Sequence, residues 1–199
     1  MALSIAPVAT GPALHAQVDL TARAGVTWAT PLLRDDIIGD DIIEEVEVRQ
    51  KLAPTLVLGA SLPIAPRYDA GLELTLTSSG YRADEGGTTT DLGTIRTGSV
   101  TLGLHGPVAG SVRWRAGAGL LGYFPKDEDG IFQSGGTTRF LAGAGIDYRR
   151  PMSSSWQLIA SLRYDFHRFT TDELQSRGFS QTQGVQRISA TVGVAGGSR

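Results

Sequence analysis

A period of two runs through almost the whole chain, and it constrains the fold more than any other feature. In VDLTARAGVTW, Val18, Leu20, Ala22, Ala24, Val26 and Trp28 are apolar, while Asp19, Thr21, Arg23, Gly25 and Thr27 between them are polar or glycine. Successive side chains of a strand point to opposite faces, so this spacing predicts a strand with one apolar face. Seven more segments read the same way, centred on Leu58, Leu74, Leu102, Ala116, Ala144, Leu162 and Ala190, and in the second segment the alternation reaches back to Val46 and Val48. No segment of useful length has helical periodicity. The expectation is an all-β chain of about eight strands.

The segments between the strands alternate in length. Residues 30–44, ADEGGTTTD, PKDEDGIFQSGGTT and TTDELQSRGFSQTQ are long, whereas PIAPR, HGPVAG and RRPMSSS are short. Long connections at one end and short ones at the other predict an up-and-down antiparallel meander. A chain of 199 residues suffices to close such a meander into one barrel.

Composition removes several function classes. A net charge of −2 without a basic run argues against nucleic-acid binding, and the absence of cysteine excludes disulfides and thiolate metal sites. No run of about 18 apolar residues is present, so no transmembrane helix is expected. Residues 1–16, MALSIAPVATGPALHA, read as the apolar core and cleavage site of a secretory signal. No lysine or arginine precedes the apolar part, which places the expected true start upstream of Met1. Residues 17–199 then form a single barrel domain.

Alternation by itself allows a soluble barrel with an apolar core, a ligand carrier of the lipocalin kind, or a membrane barrel with an apolar exterior. The aromatic residues separate the soluble readings from the membrane one. Trp114 and Phe124 lie ten residues apart on one face, as do Trp156 and Phe166. At about 3.3 Å per residue and about 40° of tilt, that spacing spans roughly 25 Å, the height of an outer-membrane apolar band. By strand direction, Trp28, Phe124, Phe140 and Phe166 form a girdle at the long-loop end, and Tyr68, Trp114, Tyr148 and Trp156 form one at the turn end. The apolar face is expected to meet lipid.

With these features the chain resembles the OmpA/OmpX-type eight-stranded outer-membrane barrels, over nearly all of the mature length. The resemblance is architectural, without a diagnostic short motif, and the chain departs from it in ending VGVAGGSR rather than on an aromatic residue. It implies residence in the outer membrane of a Gram-negative bacterium. The partners it implies are lipid, lipopolysaccharide and the barrel-assembly machinery, with the barrel itself a monomer.

The polar face carries charge of both signs: Asp19, Arg23, Glu73, Arg113, Arg115, Asp147, Arg163 and Asp165. Charges in a narrow interior are costly unless paired, so a connected ion-pair network is expected to plug the lumen. Six carboxylates crowd DDIIGDDIIEE: Asp35, Asp36, Asp40, Asp41, Glu44 and Glu45. They are hard ligands suited to Ca²⁺ or Mg²⁺, but no spacing enforces a cage, so a solvated loop with no bound metal is expected. KDEDG at 126–130 lacks the glutamate six residues beyond its glycine that a calcium loop needs. GAGLLG at 117–122 matches a dinucleotide fingerprint but sits inside a strand with no helix after it. His167 shares a face with Asp165, yet no serine completes a nucleophilic set, so neither a catalytic residue nor a cofactor is expected. The function anticipated is an envelope-structural or surface-interaction role, with a narrow channel for ions or small solutes as the alternative.

Overall fold

The computed structural model describes residues 18–38, 43–126, 132, 135–176 and 182–196. The segment expected to be a secretory signal lies outside them. Ten strands form in chain order: β1 Asp19–Ala29, β2 Leu33–Ile38, β3 Ile43–Gln50, β4 Ala53–Ala65, β5 Tyr68–Glu85, β6 Thr88–Ala109, β7 Val112–Pro125, β8 Thr137–Pro151, β9 Trp156–Phe169 and β10 Gln183–Gly196. One short helix, α1 (Asp172–Ser176), precedes β10.

All strands pair antiparallel in a single sheet, and β5–β6 pairing closes it. The closed ring runs β1-β4-β5-β6-β7-β8-β9-β10 and back to β1. These eight are the strands anticipated from the alternation, and the connectivity is up-and-down. Closure leaves no free edge within the ring, so its backbone polar groups are satisfied without water.

β2 and β3 are additional. The stretch expected to be a loop forms a hairpin, Leu33 opposite Val48 and Asp36 opposite Glu45, and β3 continues onto β5 at Val46–Gln50 opposite Glu85–Tyr81. The alternation through Val46 and Val48 is therefore a separate strand and not an extension of β4, because the chain breaks at Lys51 and Leu52. β4 stops pairing with β5 at Thr55–Thr77, and β7 stops pairing with β6 at Ile95–Pro125. Beyond those levels β2, β3, β5 and β6 continue as a four-stranded sheet above the ring. Its β5–β6 turn carries Gly86 and Gly87 at φ 50° and 85°, the backbone of a two-residue turn whose twist matches the strands.

The even-numbered residues face outward. Leu58, Leu74, Leu102, Leu120, Ile146, Leu162 and Val192 are all exposed, and Leu102 reaches 69% exposure. The odd-numbered residues Arg23, Glu73, Arg115, Asp147 and Asp165 are buried in the interior. This arrangement excludes the lipocalin-like carrier, whose apolar face would point inward.

Some inward glycines serve curvature. A Cβ on Gly119 would lie 1.9 Å from the carbonyl oxygen of Val100, and one on Gly25 would lie 2.0 Å from that of Ala190. The neighbouring strand backbone already fills the place a side chain would take. These glycines let a narrow eight-stranded ring bend, rather than clearing space for arginines.

Candidate functional site

The chemistry of this chain is concentrated in its lumen, which is built in layers. At the centre, Glu73 of β5 accepts hydrogen bonds from three guanidinium groups. Arg23 binds one carboxylate oxygen, and Arg115 (2.5 Å) and Arg163 (2.8 Å) share the other. Asp147 accepts from Ser161 Oγ at 2.6 Å and lies 3.5 Å from Arg115 and 3.7 Å from Arg23. Ser161 Oγ in turn accepts from Arg23 at 2.7 Å, and Arg163 Nε donates to Asp165 at 2.6 Å. Three arginines thus face three carboxylates, and the cluster is formally neutral. Five strands contribute to it (β1, β5, β7, β8 and β9), so it ties together opposite walls of the barrel.

The other two residues of the charged face lie apart, toward the turn end. Arg113 pairs with Asp69 at 2.6 Å, and Asp19 sits 3.8 Å from Arg149. His105 and Gly71 line two small cavities beside Glu73, each with room for about one water.

Above the charges, toward the long-loop end, lies a hydroxyl layer. Thr27 bonds Thr55 (2.7 Å) and Ser189 (2.8 Å), Thr77 bonds Thr97 (2.6 Å), and Arg187 donates to Thr97 at 3.1 Å. An apolar cap closes this end. Tyr81, Ile95, Leu121, Tyr123, Leu141, Phe169 and Val185 are buried on the inward face, and Leu32, Leu33, Val48, Phe132 and Leu174 pack on them from the hairpin and loops. Phe132 sits 6.0 Å from Tyr81, 6.2 Å from Tyr123 and 5.9 Å from Phe169 between ring centroids, within the range of favourable aromatic contact.

His167 lies just under this cap. Its Nε2 is 2.6 Å from the Tyr123 hydroxyl, whereas Asp165 is held by Arg163. The two residues noted for sharing a face therefore serve different partners.

Of the acidic stretch, Asp40 and Asp41 lie outside the described residues, and for Asp35, Asp36, Glu44 and Glu45 only the backbone is described. Among the described residues no cluster of metal-ligating side chains occurs.

On the exterior, Trp28, Phe124, Phe140 and Phe166 are exposed at the long-loop end, and Tyr68, Tyr148 and Trp156 at the turn end. Trp114 is half-buried, 6.4 Å from Tyr68 between ring centroids. Trp114 and Trp156 each lie across an outward glycine directly opposite on the next strand, Gly106 and Gly196, whose missing side chains let the rings lie flat.

No family model matches the chain, and its sequence matches no curated protein. Solved structures do match its fold. Neisserial surface protein A is 13% identical with a TM-score of 0.56, covering 90% of this chain and 96% of its own. The outer membrane protein AlkL, in lipid bilayers, is also 13% identical at 0.56, covering 100% and 97%. A major outer membrane protein from Thermus thermophilus is 13% identical at 0.50, covering 91% and 99%. This chain has the fold of the eight-stranded outer-membrane β-barrels. Its closed ring, with apolar residues outside and polar residues inside, belongs in a bilayer.

The apolar cap, Asp69, Arg149, Arg187 and the hydroxyl layer do not follow from the alternation of the charged face. A signal for the cap was present. At the loop ends of strands the alternation collapses into adjacent apolar residues, as in Leu120–Leu121, Tyr123–Phe124 and Phe140–Leu141. Both faces are apolar there because both are buried, one by lipid and one by the cap.

Proposed function

We propose that this barrel is a non-enzymatic, non-conducting outer-membrane protein whose structural role is to present the sheet above its ring at the cell surface. The observation that carries this reading is the layered lumen. Ion pairs, hydroxyls and an apolar cap succeed one another along the axis, and the interior cavities beside Glu73 have room for only about one water each. An ion crossing this path would have to break the Glu73 cluster and then enter the aromatic cap without water. Both steps are costly. The neutral cluster also offers no single-sign ring of charge to select an ion.

The part left for interaction is the extension formed by β2, β3, β5 and β6 above the girdle. Lipid and lipopolysaccharide around the belt, and the barrel-assembly machinery during insertion, complete the partners of this reading, in which the barrel acts as a monomer.

The test is conductance in planar bilayers. The wild type is expected to show little or no steady current, and a stable open conductance would establish the narrow-channel alternative instead.

A further inference from the structure

We propose that the concave outer wall around Arg96 binds one anionic, phosphate-bearing lipid, a specificity that deepens the membrane reading and rests on it. Arg96 of β6 is exposed and even-numbered, so it faces the bilayer. It stands directly opposite Ser78 of β5 and opposite Phe124 of β7, a residue of the long-loop girdle. Neither neighbour is an acid, and the Arg96 side chain makes no hydrogen bond or ion pair with the described residues. Lys126 follows two residues after Phe124, with its backbone N–H bonded to Thr94 O at 2.9 Å. That register places it a diagonal step from Arg96, and it too is exposed without an ion pair among the described residues. Two cations without a side-chain partner among the described residues and a hydroxyl thus gather at the level where lipid headgroups meet the acyl region. An arginine facing lipid is tolerated at that level, and it gains charge-assisted hydrogen bonds if a phosphate lies within reach.

Below Arg96 the wall is hollow. Leu56, Leu76, Gly98, Ala24 and Phe124 line an open groove of about 790 Å³ that also reaches Arg96 and Ser78. Gly98 lies in its lining, and a Cβ there would only touch Leu76 and Phe124, at 3.6 Å each. The missing side chain therefore leaves open space on the lipid side, unlike inward Gly25 and Gly119, which are pressed against backbone. An acyl chain seated over Gly98 would hold its headgroup phosphate under Arg96, Lys126 and Ser78. Phosphate recognition and chain seating then act together.

The experiment is native mass spectrometry of the full chain in detergent, with lipid A as the probe and phosphatidylcholine and inorganic phosphate as controls. One tightly held lipid A is expected, not displaced by phosphate at equal concentration. The double variant Arg96→Gln, Lys126→Gln should weaken it about tenfold. Gly98→Leu, which obstructs the groove beneath Arg96 and leaves both cations in place, should also weaken it, and Gly98→Ala should not. Folding of each variant is checked by circular dichroism. Unchanged lipid A binding in both the double variant and Gly98→Leu would overturn the proposal, as would equal retention of phosphatidylcholine. A barrel that remains monodisperse in plain buffer would remove the membrane reading itself, a result distinguishable from loss of lipid selectivity in an intact membrane barrel.

Discussion

Glu73 is shared by three arginines drawn from three other strands, so it holds more of the lumen together than any single pair could. Replacing it with alanine leaves Arg23, Arg115 and Arg163 buried around a missing charge. The expected cost is about 3–5 kcal/mol, measured by denaturant unfolding in detergent or bilayers, because breaking a buried ion pair strands its partner. Glu73→Gln keeps the shape and one acceptor and should fall between. The glycines give a second contrast at this scale. Gly119→Ala drives a Cβ into the Val100 carbonyl and should destabilise by about 1–3 kcal/mol, whereas Gly98→Ala, with ordinary contacts, should be nearly neutral. Equal costs at the two positions would show that the inward glycines do not set the curvature.

At the scale of the strand, the two faces meet different solvents, and substitutions should separate by parity. Leu74→Arg on β5 or Leu162→Arg on β9 places a charge among lipid tails and should cost about 2–4 kcal/mol near mid-bilayer. Thr75→Ala, one residue along on the inner face, should be mild. The ends of the strands behave differently, since their inner face is also apolar. Phe169 is fully buried at the cap, and Phe169→Ala should cost about 3–5 kcal/mol, as in a soluble core. A loss below about 1 kcal/mol would mean the cap is not packed as the contacts indicate.

For the whole molecule, the proposed plug comprises two independent barriers, one ionic and one apolar, at different depths. Glu73→Ala should leak modestly in planar bilayers, because the cap still stands above it. Adding Phe169→Ala should raise the conductance more than either change alone. If Glu73→Ala by itself opened the barrel fully, the cap would be no barrier.

Much of this architecture follows from sequence alone, for a physical reason. A strand whose faces meet lipid and a polar lumen must alternate, so the eight strands of the ring and their outward face are visible in the period of two. The charged face is visible too, since Arg23, Glu73, Arg115, Asp147, Arg163 and Asp165 share one parity. Parity does not say which charges meet. Arg113 and Asp19 belong to the same face, yet strand stagger carries them to Asp69 and Arg149 near the turn end. Nor does it reveal that residues 33–50 fold back as a hairpin on β5, a pairing between distant segments, as at Val48 and Ala83. The apolar cap needs Leu32, Phe132 and Leu174 from three separate connections, and no local pattern joins them. Local alternation is a property of each strand in its solvent. Ion-pair partners, the hairpin and the cap depend on register and closure, which only the tertiary structure decides.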